Sequence, residues 1–215
     1  MSKTSGKTKL PDPRENRLLA ALPPADYERL HPSLEFVELP LSMVLYESGG
    51  RLDYVYFPID SIISLLYVME DGASAEIAVT GSEGLVGIAL FMGGETTPSR
   101  ALVQSGGSGY RLKAGVMKRE FDRGGEMQHL ALRFTQALIT QMSQTAVCNR
   151  HHTVLQQLCR WLLLSLDRLP SNKLTMTQEL IANMLGVRRE GVTEAAGKLQ
   201  KLGLIQYHHG QITVL

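Results

Sequence analysis

The chain reads as α+β in three parts: an N-terminal antiparallel β unit, one long helix, and a C-terminal helix pair followed by a hairpin. Three observations predict this. Short β-like runs punctuated by glycines fill residues 34–112. Residues 126–150 contain neither Gly nor Pro and carry apolar side chains at helical spacing. Two short amphipathic segments meet at Gly186, ahead of an alternating C-terminal stretch.

Composition bounds the function classes. With 215 residues and 44% hydrophobic content, one or two domains with a sizeable core are expected, not a disordered chain. The formal net charge of +1 leaves no global basic field, so affinity for nucleic acid must come from a local cluster and from symmetry. Over residues 171–215, Lys173, Arg188, Arg189, Lys198 and Lys201 face Glu179, Glu190 and Glu194, a slight cationic excess. Two cysteines make no secreted-type disulfide framework, which points to a reducing, cytoplasmic compartment. Residues 1–10 lack the apolar core of a signal peptide, and Trp161–Leu166 is far shorter than the roughly 20 residues a membrane span needs. No membrane partner is expected. Residues 1–13 are expected to form a mobile tail.

Helical segments around residues 14–21 and 24–31 precede the β runs, which fall at 34–39, 43–46, 54–57, 62–68, 75–80, 101–104 and 110–112. Turns at Gly49-Gly50, Asp71-Gly72, Gly81, Gly93-Gly94 and Gly106-Gly107 space them closely, which predicts a sandwich or barrel, here a β-roll sensor over residues 14–125. In the long helix, 126–150, Met127, Leu130, Phe134, Leu138, Gln141, Thr145 and Cys148 lie near one stripe, and Leu132, Ile139, Met142 and Ala146 form a second. A helix with two apolar faces needs two partners. One is the β unit. The other is expected to be the same helix of a second copy, with Leu130, Phe134, Leu138, Gln141, Thr145 and Cys148 at the dimer interface. Cys148 would then face its own copy and be placed for a redox disulfide.

The last part, 151–215, begins with a further helix over about 153–168 and a polar break at Pro170-Ser-Asn172. Leu180, Ile181, Met184 and Leu185 share one face of the next helix, as Val192, Ala195, Ala196 and Leu199 do in the one after Gly186, so this is a helix-turn-helix. The free face of the second helix starts at Arg188, Arg189 and Glu190, where a recognition helix meets base edges in the major groove. Arginine can bond guanine bidentately and glutamate can accept from cytosine. Thr193 assists on that face, while Gln178, Lys198, Lys201 and His208 are placed to hold phosphates. Ile205, Tyr207, Ile212 and Val214 alternate around a polar tip at residues 208–210, which reads as a two-stranded wing.

In this order the parts resemble the Crp/Fnr family of bacterial transcription regulators over nearly the whole chain, most specifically at 177–205. The resemblance implies a cyclic-nucleotide-binding-like β-roll and a homodimer on double-stranded, pseudo-palindromic DNA, with RNA polymerase as protein partner. It implies base reading by Arg189 and Glu190. Where a further base-contacting arginine often follows, this chain has Glu194, and Arg188 stands where the family has a Ser/Thr cap. The stretch from Gly84 through Val103 looks like the family's phosphate-binding cassette, which makes Gly87, Ile88, Ser99 and Arg100 the effector-pocket residues. The usual Glu position holds Ile88 and the usual Arg position holds Ser99. A one-residue shift turns the Arg100 side chain to the other strand face, so cyclic AMP is not expected to bind. Cys148 and Cys159 are too few for the family's iron–sulfur cluster, and the histidines show no spacing that marks a haem ligand. The effector stays unknown.

Two alternatives remain: a ligand-sensing module whose winged helix makes protein contacts, or a cyclic-nucleotide-responsive regulator with an atypical pocket. No Ser/His/Asp, Cys/His or metal-ligand constellation stands at usable spacing, so neither catalytic nor metal residues are expected.

Overall fold

The computed structural model of the protein describes residues 10–208 and 210–215. The β-roll consists of β1 (Glu35–Leu39), β2 (Val44–Tyr46), β3 (Tyr54–Pro58), β4 (Ile62–Val68), β5 (Ser74–Thr80), β6 (Ser99–Ser105) and β7 (Gly107–Lys113). They form two antiparallel sheets, β1-β7-β3 and β2-β6-β4-β5. Leu39, Ile63, Leu65, Ala101 and Val103 fill the space between them. β4 reads as a nearly unbroken apolar run because both its faces are covered. Ile63 and Leu65 point into the roll, whereas Leu66 packs outward against the C-terminal domain.

The N-terminal helices α1 (Arg17–Ala20) and α2 (Pro24–Leu30) close one end of the roll. Buried Asn16 fixes them. Its side-chain oxygen accepts from Leu18 N and Leu19 N at 3.1 Å, and its amide donates to Pro58 O and Gly84 O at 2.9 Å, so all its bonding groups are matched. The tail expected over 1–13 lies mostly outside the described residues. Within them it ends early, since Pro13 is buried and Pro11 O accepts from Tyr110 Oη at 2.7 Å. A helix that the β punctuation hid, α3 (Ala114–Asp122), buries Met117 and stacks Phe121 on Phe91 at 4.9 Å between ring centroids.

In helix α4 (Glu126–His151) the stripe from Leu130 to Cys148 packs against its own chain, and Met142 of the second stripe also turns onto the roll. Met127, Leu138, Thr145 and Cys148 are buried in their own chain, and Leu130 and Phe134 pack on the roll. Phe134 covers Gly84 so closely that any Cβ there would overlap its ring. Gln141 completes the contact: Val79 N donates to its Oε1 at 2.7 Å and its Nε2 donates to Val79 O at 3.1 Å. β5 is an edge strand, and a side-chain amide on the facing helix satisfies its free backbone groups. The stripe from Leu130 to Cys148 is therefore the intramolecular one, which corrects its assignment to the dimer interface and removes Cys148 from any two-fold disulfide. Leu132, Ile139 and Val147 are the large apolar side chains of α4 left exposed.

The C-terminal domain comprises α5 (Val154–Leu166), β8 (Lys173–Thr175), α6 (Gln178–Leu185), α7 (Arg189–Lys201), β9 (Ile205–His208) and β10 (Gln211–Val214). A capping box formed by Thr153 and Gln156 starts α5. The wing has three strands, in the order β8-β10-β9, where two were expected. The third arises because residues 173–175, just past the polar break, pair with 211–213. Leu158, Trp161, Ile181, Val192, Leu199 and Ile212 join in one core with Leu66 and Leu102 of the roll.

Candidate nucleic-acid interface

The helix-turn-helix is built locally. Thr177 caps α6 by accepting from Leu180 N at 3.2 Å. Gly186 ends α6 at φ +64°, a left-handed conformation, and sits so close to Ala75 of β5 that a Cβ would lie 3.1 Å from the Ala75 Cβ. α7 then starts at Arg189 with Arg188 in the cap position, and no side chain bonds its free N–H groups. Those donors and the positive end of the helix dipole remain open to an anion.

Val192, Ala195, Ala196 and Leu199 are buried, so the other face of α7 is outward. Arg188, Arg189, Glu190, Thr193, Lys198 and Lys201 are all exposed. Between that face, the start of α6 and the wing lies a cleft of about 700 Å³ whose lining includes Gln178, Arg189, Thr193, Gln200 and Tyr207. Thr193 Oγ1 lies 2.7 Å from Gln178 Oε1, which ties the two helices across the cleft. Lys198 is engaged with Glu194 at 2.7 Å, and this ion pair holds the Glu194 carboxyl below its ordinary range. Being fully exposed, the pair is easily exchanged for a phosphate contact. Lys201 stands in the last turn and His208 at the end of β9, both exposed. Sequence reading missed Gln200 and Tyr207 as cleft residues. The signal for Tyr207 was its place in a wing strand beside α7. Its hydroxyl donates to Met176 O at 2.8 Å, and burial pushes its pKa up despite the lowering effect of Arg189.

Inside the roll is a cavity of about 220 Å³, bounded by Leu65, Val86, Ile88, Leu138 and Met142 together with the polar Tyr46, Thr97 and Ser99. Gly87 also lines it. Arg100 does not: its Nε lies 3.1 Å from Glu47 Oε2. The strand alternation that places Ser99 at the cavity turns Arg100 away. Burial pushes the Tyr46 hydroxyl up to about 12, so it stays neutral, and none of the lining side chains is charged. Among the described residues there is no grouping of His, Cys, Asp and Glu suited to a metal ion. No helix there is long and apolar enough to cross a membrane.

The β-roll, the long helix and the winged helix-turn-helix with its exposed charged face are the parts that known proteins match. Residues 156–215 match the family model described as a Crp-like helix-turn-helix domain. Several solved structures share the fold over most of the chain. The c-di-GMP-responsive global regulator CLP of Xanthomonas campestris aligns with a TM-score of 0.71 at 16% identity, over 88% of this chain and 98% of that one. FixK2 of Bradyrhizobium japonicum gives 0.70 at 16% identity, over 84% and 92%. A CRP-family transcriptional regulator of Thermus thermophilus gives 0.70 at 16%, over 83% and 91%. No curated protein sequence matches the chain significantly.

Proposed function

We propose that the protein is a sequence-specific DNA-binding transcription regulator of the Crp/Fnr type. It acts as a homodimer that places two copies of α7 in successive major grooves of a pseudo-palindromic site, about 34 Å apart. The carrying observation is the start of α7: Arg188, Arg189 and Glu190 are exposed beside an open cleft, on a domain that matches the Crp-like family model. Arg189 and Glu190 read bases with help from Arg188 and Thr193, and Gln178, Lys198, Lys201 and His208 contact phosphates. The second copy docks on the open stripe of α4, Leu132, Ile139 and Val147, and RNA polymerase is the protein partner. A cytoplasmic location follows from that role.

Cyclic AMP does not control it. The cavity has no cationic side chain to pair with a cyclic phosphate, since Arg100 is occupied outside by Glu47. The same lack of charge argues against cyclic di-GMP, to which the Xanthomonas regulator responds. Gly87, Ile88 and Ser99 remain the candidate effector contacts. Selection of bound duplexes from random DNA tests the reading: a dyad-symmetric motif is expected. A protein that ignores every duplex would sink it. Calorimetry with cyclic AMP is expected to show no heat of binding.

A further inference from the structure

The β-roll and the C-terminal domain meet around a buried carboxyl. Leu66 of β4 and Leu102 of β6 face out of the roll onto Leu158, Trp161 and Leu162 of α5. Enclosed by this apolar contact is a polar chain that runs from Glu76 of β5 into α5. Ser64 Oγ lies 2.6 Å from both Glu76 Oε2 and Gln104 Oε1. Gln104 Nε2 donates to Ser165 Oγ at 3.0 Å, and Ser165 Oγ donates to Trp161 O at 3.0 Å.

Counting protons along the chain shows which form of Glu76 it requires. The single hydroxyl proton of Ser165 goes to Trp161 O, so Gln104 turns its N–H to Ser165 and its Oε1 to Ser64. The single proton of Ser64 then goes to Gln104. The 2.6 Å contact with Glu76 has a proton only if the carboxyl supplies it. Burial acts the same way and pushes Glu76 up to about 7, outweighing the lowering effects of Ser64, Trp161, Arg160 and Arg168.

Ionised Glu76 demands the opposite polarity. It accepts from Ser64, Gln104 turns over to donate to Ser64 and accept from Ser165, and Ser165 releases Trp161 O. We propose that Glu76 is a proton-dependent latch between the β-roll and the winged helix-turn-helix. Its neutral carboxyl holds α5 against the sheet, and ionisation reverses the Ser64–Gln104–Ser165 chain and loosens that docking.

The charged groups that face Glu76 are Arg160 of α5, whose Nη2 donates to Thr145 of α4 at 3.1 Å, and Arg168, held by Glu83 at 2.7 Å. Strands β4 and β6 present the uncharged Ser64 and Gln104. Undocked, the carboxyl regains water and its ordinary value of 4.5; docked, it keeps its proton to about 7. Docking is thus fully favoured below the lower value and weakens as pH rises through the higher one. The latch works whatever the recognition helix binds.

Trp161 is the only tryptophan of the chain, so its emission reports on this contact. Titrated from about pH 5 to about pH 9, the protein should show a one-proton change centred near 7. Glu76→Gln, whose amide donates to Ser64 at every pH, should abolish it while leaving the circular dichroism unchanged. Amide exchange across α5 should quicken over the same window in the wild type alone. A flat wild-type emission, a transition that survives in Glu76→Gln, or exchange in α5 that rises equally in both proteins overturns the latch.

Discussion

Arg189 and Lys201 stand at opposite ends of α7, and their removal should weaken DNA binding in different ways. Arg189→Ala is expected to cost about 1–3 kcal/mol and to relax preference at one base position, because it deletes a directional pair of donors. Lys201→Ala should weaken binding evenly across sequences and lower the salt slope by about one. Competition binding on a panel of single-base variants at several salt concentrations separates the two. Equal loss on every sequence for Arg189→Ala would remove it from base reading. Gly186→Ala introduces a Cβ at φ +64° facing Ala75, and should lower stability by roughly 1–2 kcal/mol in denaturant unfolding. The exposed start of α7 was legible residue by residue, since an apolar repeat on one face leaves the charged residues on the other. Glu76 was not, because nothing in Ser-Ala-Glu-Ile-Ala-Val-Thr reveals that α5 will cover that carboxyl.

The two faces of α4 show what periodicity delivers and where it stops. The repeat of apolar residues identified the stripe that packs on the roll but only Leu132 and Ile139 of the exposed one, since Met142 packs inward and Val147 is exposed instead, and the lack of Gly and Pro over 126–150 matches the helix Glu126–His151 closely. Assigning a partner to each stripe needed β5 in place, where Val79 offers an unpaired N–H and C=O and only Gln141 brings a matching amide. Variants on adjacent residues test the corrected assignment. Leu138→Ala should cost about 2–5 kcal/mol of stability, as expected for a buried leucine, without altering the oligomeric state. Ile139→Glu should leave the fold intact and shift light-scattering mass toward the monomer. A dimer unaffected by Ile139→Glu would place the interface elsewhere. At the same scale α3 was overlooked because its charged residues and Gly115 mask the Met117 and Phe121 pair. β8 was overlooked because a three-residue strand carries almost no pattern of its own.

For the molecule as a whole, the contact between roll and C-terminal domain governs the response to pH. Between 4.5 and about 7 the folded state keeps a proton on Glu76 that the unfolded chain has released, so stability should fall with rising pH by up to about 3 kcal/mol in total. Glu76→Gln should remove that slope, which urea unfolding at a series of pH values can check. An identical slope in both proteins would mean that the carboxyl is wet. The order of parts, the strand runs, the two helices around Gly186 and the polar face of α7 are legible without the fold. These features are written in local periodicity and in the few residues that tolerate tight turns. Which stripe of α4 packs inside the chain, the contact of Arg100 with Glu47 away from the cavity, and the burial of a carboxyl between the domains emerge only from the folded chain. Each of those depends on which groups lose water and which find a partner, and that is settled by residues far apart in the chain coming together.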